Sequence, residues 1–176
     1  MPMLIRWPGH IKAGSEINGI QAHMDIFTTL AAAGIDTDDL AERLKKGDKV
    51  GTDTVKKVYL DGVKNLDYWT GKSDKSEHNY CIYWAESSPN AIRVNQWKAH
   101  FAVRDGYYGT TTKIELPWVY SLRQDPFESY GQDPRPPANF LQHKSWMFNI
   151  VAAKMGAHIQ TLIEFPPSQK TDHALH

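Results

Sequence analysis

A single cysteine, Cys81, stands among 176 residues. One thiol makes neither an internal disulfide nor a thiolate cluster for a metal, so a packed core must hold the fold together. Net charge is missing too: 20 Lys and Arg balance 20 Asp and Glu, which leaves no electrostatic footprint for nucleic acid or an anionic membrane surface. No stretch approaches the ~20 consecutive apolar residues of a membrane-spanning helix. The opening residues carry neither the basic n-region nor the apolar h-region of a secretory leader, and no internal repeat occurs. Size excludes little. A chain of this length buries roughly 70% of the surface its unfolded form exposes, enough for one domain, or for a small domain plus part of another.

Aromatic and apolar residues are plentiful, and they come in patterned runs. Met3, Leu4, Ile5 and Trp7 form a short apolar run closed by Pro8-Gly9, the pattern of a strand buried inside an α/β sheet. Such a strand needs partners on both edges, so the run predicts that the chain is the C-terminal part of something larger. Pro8 to Ser15 reads as a glycine-punctuated turn, and an extended segment is expected around Ile17 to Ile20. Met24, Phe27, Leu30 and Ala31 recur at helical spacing, Asp25 falls where a carboxylate meets the positive end of the macrodipole, and Gly34 sits at the position of a C-cap. The spacing predicts a helix over His23 to Ala33, packed on the opening strand. From Ile35 to Asn79 a mixed-charge stretch precedes Val58, Leu60, Val63, Leu66, Tyr68 and Trp69, which anchor a connector too apolar to be a flexible linker.

The second half reads as a small α+β unit. Strands are predicted over Tyr80 to Trp84, Ala91 to Val94, Trp97 to Val103 and Leu116 to Leu122, with Asn95-Gln96 spaced as a two-residue hairpin. Asp125-Pro126-Phe127-Glu128 is a turn. After Pro134, Pro136 and Pro137, the stripe Phe148, Val151, Met155, Ile159 and Leu162 predicts a long amphipathic helix, stopped at Phe165-Pro166-Pro167.

Six stretches in order resemble the C-terminal third of a sulfatase of the arylsulfatase type. They are Pro2-Met3-Leu4-Ile5-Arg6-Trp7-Pro8-Gly9-His10-Ile11-Lys12-Ala13-Gly14, His23-Met24-Asp25-Ile26-Phe27-Thr28-Thr29-Leu30, and Leu60-Asp61-Gly62-Val63 with Trp69-Thr70-Gly71-Lys72. Further on come Ala91-Ile92-Arg93-Val94-Asn95-Gln96-Trp97-Lys98, Val119-Tyr120-Ser121-Leu122-Arg123-Gln124-Asp125-Pro126-Phe127-Glu128, and Phe165-Pro166-Pro167-Ser168-Gln169. Thr28 stands where many members have proline. The resemblance implies the end of an alkaline-phosphatase-like α/β catalytic domain over residues 1–34, a connector over 35–79, and a C-terminal α+β subdomain over 80–176, a small antiparallel sheet packed by a long helix.

The resemblance also implies a chemistry, hydrolysis of sulfate esters by a formylglycine made in a Cys/Ser-x-Pro-x-Arg motif, with a divalent cation, usually calcium, and Lys and His neutralising the sulfate oxygens. In the family these groups come from the N-terminal domain. Here Cys81 is followed by Ile82-Tyr83-Trp84, and Asp38-Asp39 falls in the connector, so no catalytic, cofactor-binding or metal residue is assigned to this chain. Calcium, formylglycine and a sulfate-ester substrate are expected only in the complete protein. The implied partner is the missing N-terminal catalytic domain, and the implied location a periplasmic or secreted one. The chain alone is expected to be inactive.

Other chemistry can be weighed on the residues themselves. His10, His23, His78, His100, His143, His158, His173 and His176 show no close-spaced ligand pattern on one helix face, which favours solvated or singly bonded imidazoles over a metal site. Cys81, flanked by strand formers, reads as a small buried hydrophobe rather than a nucleophile. Tyr83, Trp84, Trp97, Tyr107, Tyr108 and Trp118 read as core, with Arg104-Asp105-Gly106-Tyr107-Tyr108-Gly109 the exposed exception. His173 and His176 fall in a polar tail expected to be disordered. The alternative to a sulfatase portion is an independent carbohydrate-binding or protein-interaction module presenting an aromatic platform.

Overall fold

The structure, a computed structural model, describes residues 2–35, 40–47, 49–50, 53–54, 57–85, 87–129 and 142–166. The chain divides between Asn79 and Tyr80 into two units. Pro137, its neighbours and the tail with His173 and His176 lie outside the described residues.

In the first unit the helix forms as its spacing predicts but runs longer. Helix α1 spans Met24–Ile35, and Gly34 lies inside it rather than capping it. Helix α2 (Leu40–Lys46) and a two-stranded antiparallel hairpin, β1 (Lys49–Val50) with β2 (Asp53–Thr54), follow. Helix α3 (Leu66–Thr70) ends at Gly71, whose φ of 77° is the left-handed conformation of a glycine C-cap.

Two expectations fail here. Residues 2–7 form no strand, and Leu4 is 99% exposed, with Met3 and Ile5 exposed beside it. A strand needs a ladder partner, and among the described residues of this unit none lies alongside to supply one. The second failure is the phase of α1. Met24, Phe27 and Leu30 face solvent, while Asp25, Thr28, Thr29 and Ala32 are buried. The buried neighbour of α1 is the irregular backbone of residues 62–65, whose N–H groups require acceptors. Asp25 accepts from the Val63 N–H (2.9 Å) and Thr29 Oγ1 from the Asn65 N–H (3.0 Å). A polar inner face is the physical consequence.

The second unit follows its pattern more closely. Strands β3 (Tyr80–Ala85), β4 (Ser88–Val94), β5 (Trp97–Arg104) and β6 (Thr111–Ser121) form one antiparallel meander in the order β3-β4-β5-β6. Asn95 takes φ 52° in the two-residue turn that pairs Val94 with Trp97, a conformation asparagine tolerates better than most residues. Strand β6 begins five residues earlier than its sequence suggests. The register slips between His100 and Ala102, and Pro117 sits inside that irregularity, where a missing N–H breaks no ladder bond.

Helix α4 (Trp146–Glu164) covers one face of this sheet. Ile82, Ile92, Val94, Ala99 and Val119 from the sheet meet Met147, Val151 and Met155 from the helix. Val151 and Met155 are buried and Phe148 packs against the core as the stripe predicts, but toward the C-terminal end His158 is buried and Ile159 is exposed. At 3.6 residues per turn, Met147, Val151, Met155 and His158 share one line. His158 fills its place edge-on to the Trp84 ring, with centroids 5.8 Å apart, so of the two states read for the histidines, solvated or singly bonded, it does not take the solvated one.

Candidate functional site

Strand alternation sends the other set of side chains to the face opposite α4. Register places Cys81, Arg93, Lys98 and Tyr120 in one row and Tyr83, Ala91, His100 and Trp118 in the next. The segment after β6 returns over this face. Asp125 and Gln124 bond back to the Ser121 carbonyl, and the Glu128 N–H reaches the Asp125 carbonyl, which confirms the turn read at Asp125-Pro126. Glu128 itself takes φ 56°.

That turn delivers a carboxylate onto two basic side chains. Glu128 Oε1 accepts from Lys98 Nζ at 2.7 Å, and Oε2 pairs with His100 Nε2. Lys98 Nζ also lies 4.7 Å from the centroid of the Tyr83 ring, a cation–π distance. All three paired side chains are about one-fifth exposed or less. Burial pushes the His100 imidazole below its usual range, partly offset by the bond to Glu128. Burial likewise pushes the Tyr83 phenol up. The cluster fastens the turn to the sheet, because the Glu128 carboxylate is engaged on both oxygens.

A second polar cluster lies in the first unit. Asp25 accepts from Ala22 N–H (2.8 Å) and Val63 N–H (2.9 Å) and pairs with His78 Nδ1 at 2.9 Å. Reaching back three residues, its carboxylate satisfies the Ala22 N–H just ahead of α1. Asn65 Oδ1 accepts from Ser76 Oγ (3.1 Å) and the Glu77 N–H (2.9 Å). Tyr68 and Trp69 then bind the preceding segment: Tyr68 Oη accepts from the Gly19 N–H (2.6 Å) and Trp69 Nε1 donates to Gln21 Oε1 (2.5 Å). His78 is therefore buried and bonded, the second of the two states read for the histidines.

The remaining candidates fall apart from both clusters. Cys81 is half-buried rather than enclosed. Tyr107 and Tyr108 are 85% and 97% exposed at the β5–β6 tip, as read for that loop, and the Arg104 guanidinium closes its neck on Thr111 Oγ1. Tyr83 and Trp84 are more exposed than core residues, while Trp97 and Trp118 are half-buried. His10 stacks on Trp7, and His23 and His143 are exposed. Among the described residues no three His, Cys, Asp or Glu gather as metal ligands, and no helix is long and apolar enough to cross a membrane. Sequence reasoning missed the Lys98–His100–Glu128 triad. Its one legible signal was the Asp-Pro turn three residues before Glu128.

Comparison with known proteins gives a consistent result. Residues 76–173 match the family described as the C-terminal region of aryl-sulfatase. Human steryl-sulfatase is 24% identical over 94% of this chain and 29% of its own length. Human arylsulfatase H is 25% identical over 94% of this chain and 30% of its own. The arylsulfatase of Hemicentrotus pulcherrimus is 24% identical over 99% and 32%. The crystal structure of the PsFucS1 sulfatase from Pseudoalteromonas sp. superposes with a TM-score of 0.71 at 24% identity, over 93% of this chain and 30% of that one. The chain thus spans about a third of the length of the curated relatives it matches.

Proposed function

The chain belongs to the sulfatase family, in the C-terminal region of its arylsulfatase-type members, and on that premise we propose that it serves as the C-terminal portion of a sulfuric ester hydrolase. The match over residues 76–173 carries the reading. In this proposal residues 1–34 close an alkaline-phosphatase-like catalytic domain, 35–79 connect, and 80–176 form the C-terminal subdomain.

The exposed apolar row Met24, Phe27 and Leu30 supports the assignment of residues 1–34. Such a row on α1 is the face a preceding catalytic domain would cover. Formylglycine and calcium would belong to that domain. The residues here do not fit formylglycine, since Cys81 lacks the following Pro and Arg and lies within β3.

The purified chain, given an aryl sulfate and calcium, is expected to show no hydrolysis above the buffer rate. A longer product of the same reading frame, extended upstream through a Cys/Ser-x-Pro-x-Arg motif, is expected to hydrolyse it. Turnover by the chain alone would overturn its role as a non-catalytic portion. An inactive extended product would overturn the reading of the whole protein as a hydrolase of aryl sulfates.

A further inference from the structure

Of the seven asparagines in the chain, Asn18 alone is followed by glycine. That pair is the one most prone to close on its own backbone. Glycine has no Cβ to shield its nitrogen from the amide carbon of the residue before it. The fold leaves the pair at the surface: Asn18 and Gly19 are both exposed. Among the described residues none hydrogen-bonds the Asn18 side chain, so its amide is free to turn toward the Gly19 nitrogen.

Gly19 is fixed by what packs on it rather than by its own backbone, which is not left-handed. A Cβ there would lie 2.7 Å from Tyr68 Oη and 2.9 Å from Tyr68 Cζ. Tyr68 is buried on α3, and its Oη accepts from the Gly19 N–H at 2.6 Å. One phenol thus requires the glycine that makes the pair reactive and holds the proton that must leave first. Two more bonds fasten the segment. Ser76 Oγ donates to the Ile20 carbonyl at 2.6 Å, and Trp69 Nε1 donates to Gln21 Oε1 at 2.5 Å.

We propose that Asn18 is a site of spontaneous deamidation and backbone rearrangement, gated by the Gly19–Tyr68 hydrogen bond. When the segment lifts from α3, hydroxide removes the Gly19 amide proton and the nitrogen attacks Asn18 Cγ. The N–Cγ bond forms, the Cγ–Nδ2 bond breaks, and Nδ2 leaves as ammonia after taking a proton from water. Water then opens the cyclic imide. Attack at Cγ gives aspartate; attack at the main-chain carbonyl gives isoaspartate, whose backbone runs through Cβ and Cγ. No oxidant or reductant takes part. Isoaspartate lengthens the backbone by a methylene just before Gly19 and adds a carboxylate there. The Gly19 N–H is drawn off Tyr68, and a buried phenol loses its donor. This chemistry is independent of the role proposed for the whole protein.

The test is prolonged incubation of the full chain at neutral pH, followed by peptide mapping and isoaspartate-specific enzymatic methylation. The wild type is expected to convert Asn18 before any other asparagine, with isoaspartate among the products. Tyr68→Phe keeps the ring and removes the acceptor. It is expected to speed conversion about two- to tenfold, the factor carried by one net hydrogen bond, and to raise exchange of the Gly19 amide equally. In urea the two chains are expected to convert at one rate. The wild type alone supplies a second measurement, needed if Tyr68→Phe fails to fold. Both reactions begin with loss of the same proton, so folding must slow conversion at least as much as it slows Gly19 amide exchange. Conversion slowed less than exchange, or equal rates in folded wild type and folded Tyr68→Phe, overturns the gate. An Asn18 that stays intact while another asparagine converts overturns the site.

Discussion

Asp25 is a carboxylate at 1% exposure held by three donors. Burial opposes its charge, but the bonds from His78, Ala22 and Val63 together prevail and hold its pKa below the ordinary 3.8. A depressed carboxylate stabilises the fold above its unfolded pKa and loses that contribution as pH falls through the folded one. Asp25→Asn is expected to cost about 2–4 kcal/mol at neutral pH, because an amide leaves one of the buried N–H groups facing another donor. Urea midpoints at pH 7 and pH 3 check this: the gap between wild type and variant should narrow at pH 3. His100 gives a second residue-level prediction. Burial lowers its pKa from 6.5 and Glu128 raises it, so Glu128→Gln should lower it further. An NMR titration of the His100 ring that shows no change, or a rise, would contradict the pairing. Asp25 was visible in the sequence only as a helix-start acid. Its partners Val63 and His78 lie 38 and 53 positions away, a separation that no local pattern reports.

At the scale of elements, what packs against a helix decides its inner face more than its own periodicity does. Met24, Phe27 and Leu30 were legible as a stripe, yet α1 buries Asp25, Thr28 and Thr29 because the irregular segment beside it presents backbone donors. Gly62 marks how close that segment comes. A Cβ there would lie inside van der Waals contact of the Met24 carbonyl oxygen and 2.7 Å from Thr28 Oγ1. Gly62→Ala must therefore displace backbone rather than a flexible side-chain end, and is expected to cost about 1–3 kcal/mol, read as a lower urea midpoint. The sheet was far more legible, because a two-residue period and the Asn95-Gln96 turn are local signals. The start of β6 was not, since the irregularity around Pro117 interrupts the alternation.

For the whole molecule, the exposed row of α1 predicts behaviour in isolation. Phe27 is 61% exposed between Met24 and Leu30 on the same face, and contiguous apolar surface promotes association. Phe27→Asp is expected to reduce binding of a hydrophobic dye by the full chain while leaving its circular dichroism unchanged. An equal dye signal would show that other surface is responsible. The sequence by itself determined the family, through six ordered stretches, and the meander with its covering helix, through periodicity and turn chemistry. Those are properties of neighbouring residues. Only the tertiary structure decided that the opening run forms no strand and that α1 turns its apolar stripe outward. It alone brought Glu128 onto Lys98 and His100, and Asp25 onto His78. Each of these depends on which backbone donors and charges meet across tens of residues, and a buried polar group settles where its partners are rather than where its neighbours in the chain suggest.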